Sequence, residues 1–380
     1  MKLPNTFAGM TNSMSYWEYK TYFQGVDFCI VGMGIVGCHT ALMLRQKYPT
    51  AKIVVIDGHS FGASASSRNA GFACFGSVSE IADDVRSSGF EAAINLVHER
   101  YQGLQLLRSI HGDDKLGYKQ TGGFELFTTQ DEERWSMSTD LVPELNRALK
   151  SLAPEVYRIS PNNKQVFKQP VKIIENSEEG EIQTDLLYFS MLSALHHNRV
   201  FMLRGVRITD FMNENEGVKV STSVGDFTCR KLILATNGLT SKLLPHLDVA
   251  PARAQVLVTS PLSKVNLTGC FHYDAGYYYF RMIDNRLLIG GARNTDFEGE
   301  QTASLENTNA ILAHIQSLAE TLIINEPYQI EHTWAGTMGV GQARHPLVDH
   351  YASNIIYGVR MGGMGVALGC LVSKKIADLL

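Results

Sequence analysis

The sequence predicts an α/β fold: a parallel-sheet unit assembled from both ends of the chain, with a mostly antiparallel unit inserted between them. Three observations carry this. Strand, glycine turn, helix, strand and acid follow in order over 27–57. A second strand, glycine turn and helix close the chain over 355–380. Between them, 251–291 is strongly β in pattern, with a hairpin turn at Asp284-Asn285.

The opening unit begins with the apolar run Phe28-Cys29-Ile30-Val31, read as a buried strand. Gly32-Met33-Gly34-Ile35-Val36-Gly37 matches the G-x-G-x-x-G spacing, and a helical pattern over 39–48 follows. Pro49-Thr50 ends that helix, and a strand over 52–56 leads to Asp57, 20 residues beyond Gly37. Each position has a physical purpose. Gly32 permits the tight turn, Gly34 lets backbone N–H groups approach a pyrophosphate, and Gly37 lets helix pack on strand. The helix N-terminus supplies partial positive charge. Asp57 can accept hydrogen bonds from both hydroxyls of an adenosine ribose. The ordered set points to a bound dinucleotide rather than an empty α/β turn.

Next, 58–76 is rich in small and hydroxylated residues and reads as a loop carrying one cation and one amide, in Ser66-Ser67-Arg68-Asn69-Ala70-Gly71. Small side chains let backbone approach a ligand, hydroxyl and N–H groups satisfy phosphate oxygens, and Arg68 adds charge. Following directly on Asp57 and Gly58, this loop is the expected second wall of the dinucleotide site.

Elsewhere the pattern is plainer. An N-terminal arm, 1–21, is expected to be pinned by Trp17 and Tyr19. Helices are expected over 80–110 and 130–151, with a β-rich piece over 116–129 whose Gly122-Gly123 suggests a bulge or close approach. A strand over 166–174 and an exposed turn at Glu178-Glu179-Gly180 precede a helix over 184–198. Thr184 caps that helix, and Leu186, Leu187, Phe189, Leu192 and Leu195 form its apolar set. Strands over 200–211 and 217–224 flank an acidic turn. A buried strand from Lys231 then ends in Ala235-Thr236-Asn237-Gly238, where a parallel sheet would deliver backbone to a ligand. After the β region come a helix over 304–324, a strand over 355–358, Gly362-Gly363-Met364-Gly365 and a helix from Val366.

At 380 residues the chain is long enough for two domains. Its 34 basic and 38 acidic residues leave a net charge of −4, with no basic surface for nucleic acid. Six scattered cysteines without a C-x-x-C pair fit a reducing compartment, and no His/Cys/Asp/Glu spacing suggests a metal. No secretory signal is visible, and no apolar run approaches the ~18–20 residues of a membrane helix. The expected location is cytoplasmic, with no membrane partner.

Together these motifs resemble the FAD-dependent amino-acid and amine oxidase superfamily, the D-amino-acid oxidase, glycine oxidase and sarcosine oxidase group, and within it the γ-glutamylputrescine oxidase-like branch. Five patches carry the resemblance: 31–37; 62–71 with Ser67-Arg68-Asn69; 232–238; 286–291 with Trp334-Ala335-Gly336; and 362–368. It implies a D-amino-acid-oxidase-like fold. An FAD-binding Rossmann-like domain would comprise 1–90, 175–250 and 335–380, and an antiparallel-sheet substrate domain 91–174 and 251–334. It also implies non-covalent FAD and oxidation of a C–N bond of an amine or amino acid by hydride transfer to flavin N5, with oxygen or another acceptor taking the electrons.

The resemblance places Asp57 on the ribose and Ser67, Arg68 and Asn69 along pyrophosphate and flavin. Val206 would meet adenine through its backbone, and Ala235, Thr236, Asn237, Gly238 and Gly336 would lie near the cofactor. Gly362, Gly363, Met364, Gly365 and Val366 would aim a helix N-terminus at the isoalloxazine N1–C2 carbonyl, where reduced flavin bears negative charge.

Two departures stand out. Met364 occupies the place of a histidine common in Ser-Gly-His-Gly, and Thr337-Met338-Gly339 lacks the arginine that grips a substrate carboxylate in glycine-oxidase-like members. Arg281, Arg344 and Arg360 are candidate replacement cations. Tyr277 and Tyr279 share one strand face and are candidate substrate contacts, and His345 is a candidate base or orienting group. Two other readings share parts of this pattern: an NAD-dependent dehydrogenase, and a non-catalytic flavin-binding subunit. The oligomeric state stays open.

Overall fold

The computed structural model describes residues 14–160 and 167–380. At the centre of its first sheet Val26–Val31 lies between Gly225–Leu234 and Ile53–Asp57, all parallel. Phe201–Arg204 extends the sheet beyond Ile53–Asp57, and Ile355–Val359 extends it beyond Gly225–Leu234, again parallel. Leu347–Ala352 closes that edge antiparallel, and Ile208–Glu214 and Gly217–Thr222 form a hairpin on the Gly225–Leu234 strand. The two ends of the chain therefore meet in one sheet. Its central strands are covered on both faces, which explains why Cys29, Ile30, Val54, Val55, Leu232 and Ile233 run apolar without alternation.

Helices Ile35–Lys47, Phe90–His111 and Gly365–Asp378 cover one face, with Thr184–His197 packed beside the first. They pack closely because glycines stand at the crossings. A Cβ on Gly103 would come within 2.0 Å of the Ala367 carbonyl oxygen, and one on Gly369 within 2.4 Å of Ile35. On the other face Phe23 enters the core, with Tyr19 and Tyr22 against it. Trp17, expected to pin the arm, is 69% exposed; Phe23, nearer the first strand, takes that role.

The second sheet runs in the order Ile330–Val340, Ala250–Thr259, Arg286–Gly291, Tyr278–Ile283, Cys270–Tyr273, Gly123–Phe127, Lys172–Asn176 and Tyr157–Ser160. All its neighbours are antiparallel except Cys270–Tyr273 with Gly123–Phe127. Asp284 and Asn285 turn the expected hairpin with φ of 48° and 59°, the left-handed pair that the strand twist favours. Two elements lie at the limits expected at 91 and 335. Phe90–His111 packs on Gly365–Asp378, and Ile330–Val340 runs through 335 within the second sheet.

Several local expectations change. The helix expected over 80–110 is two helices, Val78–Ser88 and Phe90–His111, separated at Gly89 with φ 86°. The loop over 58–76 contains a helical turn, Ala65–Arg68, and a short strand, Phe72–Ala73, paired with Gly180–Glu181. Glu179 is buried rather than in an exposed turn, because the Phe75 and Gly76 N–H groups hold its carboxylate. Thr184 is the first helical residue rather than the cap; its hydroxyl donates to the Asn69 carbonyl oxygen at 3.0 Å. Leu187 and Leu195 are buried, but Phe189 is 72% exposed, so that helix's apolar set is not one buried stripe. The strand expected from Val166 spans Lys172–Asn176, and Val166 lies outside the described residues.

Candidate active site

A cleft of about 1020 Å³ opens at the carboxyl ends of the parallel strands and continues across the second sheet. On its floor, Gly32 turns with φ 109° against the next strand: a Cβ there would lie 2.4 Å from the Ala235 carbonyl oxygen. Gly37 lies directly on Gly32, where a Cβ would come within 1.8 Å of the carbonyl oxygen. The helix Ile35–Lys47 begins at Gly34 with no side-chain cap, so its N-terminal turn presents N–H groups to the cleft. Ile35 N–H donates to Ser66 Oγ at 2.9 Å, tying the glycine turn to the second wall. Asp57 accepts from the Met33 N–H at 2.9 Å and the His59 N–H at 2.8 Å, one on each oxygen. That fixes the carboxylate and leaves it lone pairs for a diol.

The second wall is equally braced. Arg68 donates to the Ala335 carbonyl oxygen at 2.8 Å while its own carbonyl accepts from Trp334 Nε1 at 2.9 Å. Asn69 donates to the Ser66 carbonyl and accepts from the Gly71 N–H. Opposite, Asn237 Oδ1 accepts from the N–H groups of Arg360 and Met361, and Gly362 N–H donates to the Gly339 carbonyl at 2.9 Å. This sets the turn from which Gly365–Asp378 starts, again without a side-chain cap at Met364. Two helix N-termini thus face one cleft.

Gly32, Gly34, Ile35, Val36, Asp57, Gly58, Ser66, Arg68, Asn69 and Ala70 line this cleft. So do Ala235, Thr236, Asn237, Gly336, Gly362, Gly363, Met364, Gly365 and Val366. Gly37, Ser67, Gly71, Val206 and Gly238 stand behind it. Ser67 turns its hydroxyl back to the Gly62 carbonyl. Gly71, at φ 77°, leaves room for Arg281, and Gly238 lies against the Met338 carbonyl. Val206 gives its N–H to the Asp57 carbonyl, and the neighbouring Arg207 and Ile208 reach the cleft instead.

At the other end, Tyr277 and Tyr279 both line the cleft, while Tyr278 packs against the second sheet's core. Tyr279 lies across Gly290, and burial pushes its phenol up to about 12, so it stays protonated. The candidate cations separate clearly. Arg281 is buried outside the cleft wall, donating to the Ala70 and Ile182 carbonyls and pairing with Glu181 at 3.1 Å. Arg360 lines the cleft, but its guanidinium pairs with Asp248 and donates to the carbonyls of Asp248 and His345, so it braces the closing turn. His345 is held there through that carbonyl and is not in the cleft wall. Arg344 reaches the cleft already paired with Asp84 at 3.1 Å.

The site suits an extended dinucleotide bearing a large ring system. Its glycine floor admits a close backbone approach, two helix N-termini offer N–H groups, an anchored carboxylate keeps lone pairs free for a diol, and the volume continues past Met364 toward Tyr279. Residues 27–379 match the model of the DAO family, FAD dependent oxidoreductase. The chain belongs to this family. FAD is its cofactor, and the chain is an FAD-dependent oxidoreductase, so neither the NAD-dependent dehydrogenase nor the non-catalytic flavin-binding subunit has support.

This FAD-dependent oxidoreductase is 25% identical over 400 residues to the γ-glutamylputrescine oxidoreductase of Escherichia coli, covering 98% of this chain and 88% of that protein. It is 21% identical over 384 residues to the probable oxidoreductase OrdL of Haemophilus influenzae, covering 95% and 84% respectively. A solved glycine oxidase from Geobacillus kaustophilus shares its fold with a TM-score of 0.75 at 15% identity, covering 93% of this chain and 94% of that one. No helix among the described residues is long and apolar enough to cross a membrane.

Glu80, Arg207, His272 and Arg293 also line the cleft, and the sequence analysis did not single them out as site residues. Arg293 lies two residues beyond the strand that ends at Gly291, close to a patch that carried the resemblance, and that proximity was the available signal. Glu80 and His272 had none, because their elements meet the cleft only after the two sheets pack.

Proposed function

We propose that this FAD-dependent oxidoreductase oxidises the C–N bond of an amine that also carries an acidic group. The supporting observation is Arg293. It lines the cleft near Tyr277, sits 4.7 Å over the Phe297 ring, and has no ion pair with any carboxylate among the described residues. Burial presses its pKa down, a cost that a bound carboxylate would offset. It thus supplies the cation missing at Thr337-Met338-Gly339. The similarity to γ-glutamylputrescine oxidoreductase supports an amine of this kind.

FAD, when bound, supplies the acceptor for a hydride from the carbon bearing the amine. The chain's own residues do the rest. The glycine turns and both helix N-termini hold the cofactor, Asp57 holds its ribose, and the turn at Gly362–Val366 presents positive backbone charge to the ring. Tyr277 and Tyr279 wall the substrate end, and Arg293 orients the acidic group. The division into cofactor and substrate domains, non-covalent attachment of FAD, and oxygen or another acceptor for the electrons belong to this proposal. So does a cytoplasmic setting, supported by six buried free thiols.

The test is an anaerobic panel of amines and amino acids, followed by loss of the flavin absorption band. Acidic amines should bleach it. Arg293→Met should raise KM for them at least about tenfold, or ~1.4 kcal/mol, with FAD content unchanged. Failure of every amine to reduce the flavin would overturn the reaction. Equal turnover of neutral amines, unaffected by the substitution, would overturn the role of Arg293.

A further inference from the structure

Three side chains from distant parts of the chain converge beside the cleft. Cys74 follows the short strand Phe72–Ala73, Glu179 precedes its partner Gly180–Glu181, and His272 lies in Cys270–Tyr273. All three are buried, and one ligand atom from each lies within 4.8 Å of the others. We propose that Cys74, Glu179 and His272 form a binding site for a divalent metal ion, with zinc the ion their donors favour.

The geometry is close to what zinc needs. Three points within 4.8 Å of one another always have a common centre no farther than about 2.8 Å from each. Zinc takes sulfur at about 2.3 Å and imidazole or carboxylate at about 2.0–2.2 Å, so the donors need close in by only roughly half an ångström. Mixed thiolate, imidazole and carboxylate ligands suit zinc rather than magnesium or calcium, which prefer oxygen alone.

A second observation is independent of that spacing. His272 Nε2 is buried and has no hydrogen-bond partner, although the residue is only 6% exposed. A ring nitrogen stripped of water without a partner is unfavourable, and an ion supplies one. The Cys74 thiol contacts the Gly180 carbonyl at 3.8 Å and also lies against the Glu179 carboxylate and the Cys270 thiol. Glu179 is preset for coordination: the Phe75 and Gly76 N–H groups hold one oxygen at 2.8 and 3.0 Å, while the other lies against Gly123. A Cβ at Gly123 would sit 1.8 Å from that second oxygen, so glycine is what leaves the carboxylate its place.

Charge also balances. Binding releases the Cys74 proton to solvent, and thiolate and carboxylate together neutralise a dication, so the buried site carries no net charge. Cys74 and His272 also border the cleft, which would give an ion a path in from solvent.

The test uses tag-free holoenzyme kept reduced, exposed to zinc and then desalted. The wild type should retain one zinc per chain by atomic emission, and cobalt in its place should give a thiolate charge-transfer band. Cys74→Ser and His272→Gln, checked for retained FAD, should each lower zinc retention at least about tenfold. In the wild type alone, zinc should slow alkylation of Cys74 and leave Cys370 unaffected, a readout that survives if the variants misfold. A wild type that holds no zinc and shows no protection, or variants that bind as tightly as wild type, would overturn the site.

Discussion

At Gly34 the absence of a side chain serves the ligand. A Cβ there would approach Ser66 Oγ to 2.8 Å, and that oxygen holds the Ile35 N–H at the helix start. Gly34→Val should therefore push Ser66 away and fill the pyrophosphate approach, leaving less than about a tenth of the chains with flavin. The ratio of flavin to protein absorbance reads this directly, and a fully loaded variant contradicts the assignment. Among residues, the glycine floor, Asp57 and Arg68 were legible because their spacing is local. The state of the arginines was not: Arg281 is drawn away from the cleft, Arg360 lines it paired with Asp248, and Arg293 lines it over Phe297, according to which neighbours claim each guanidinium.

At the scale of elements, Arg281 joins the strand Tyr278–Ile283 to the second wall of the site. Its donors hold the Ala70 and Ile182 carbonyls, and Glu181 balances its charge. Arg281→Met should cost about 2–4 kcal/mol in chemical denaturation by leaving the Ala70 and Ile182 carbonyls and the half-buried Glu181 carboxylate without their partner, and Glu181→Gln in the same chain should recover part of it. A second device links three helices. His39 Nδ1 donates to the Ile35 carbonyl oxygen, its Nε2 meets His111 Nε2 at 2.8 Å, and His111 Nδ1 meets the Ser190 hydroxyl. Burial lowers their pKa values to about 3 and about 4. Both folded values lie below the unfolded value of about 6.5, so the unfolded chain binds more protons as pH falls. The stability these histidines contribute is thus full above about pH 6.5 and declines toward pH 4. From pH 7 to 5 the wild type should weaken by about 2–4 kcal/mol more than the double variant His39→Gln, His111→Gln, measured by denaturant midpoints at each pH. Element types were legible over most of the chain, but the break at Gly89 and the burial of Glu179 were not. Gly89 leaves the apolar spacing on either side intact, and Glu179 is buried only because backbone amides from 75 and 76 come to it.

Across the whole molecule, the last helix completes what the first turn begins. Gly365–Asp378 lies between Ile35–Lys47 and Phe90–His111, Ser373 donates to the Val36 carbonyl at 2.8 Å, and Tyr48 donates to the Leu380 carbonyl at 2.6 Å. A chain ending at Met364 loses one wall of the cofactor site and uncovers the core formed with Val366, Leu368, Cys370, Val372 and Ile376. It should accumulate without flavin and bind a hydrophobic dye, whereas truncation of the described N-terminal residues before Tyr19 should leave flavin content unchanged. Gel filtration with absorbance of both chains checks this.

By itself the sequence determined the parallel unit at the two ends, the glycine floor with its acid, and the β-rich middle, because each rests on periodicity or spacing within a few dozen residues. Only the tertiary structure decided which cations line the cleft, which of them carboxylates claim, and which buried groups gather there. Those outcomes depend on pairings such as Arg281 with Glu181, or Cys74 with His272, whose partners lie a hundred residues or more apart and leave no local trace in the chain.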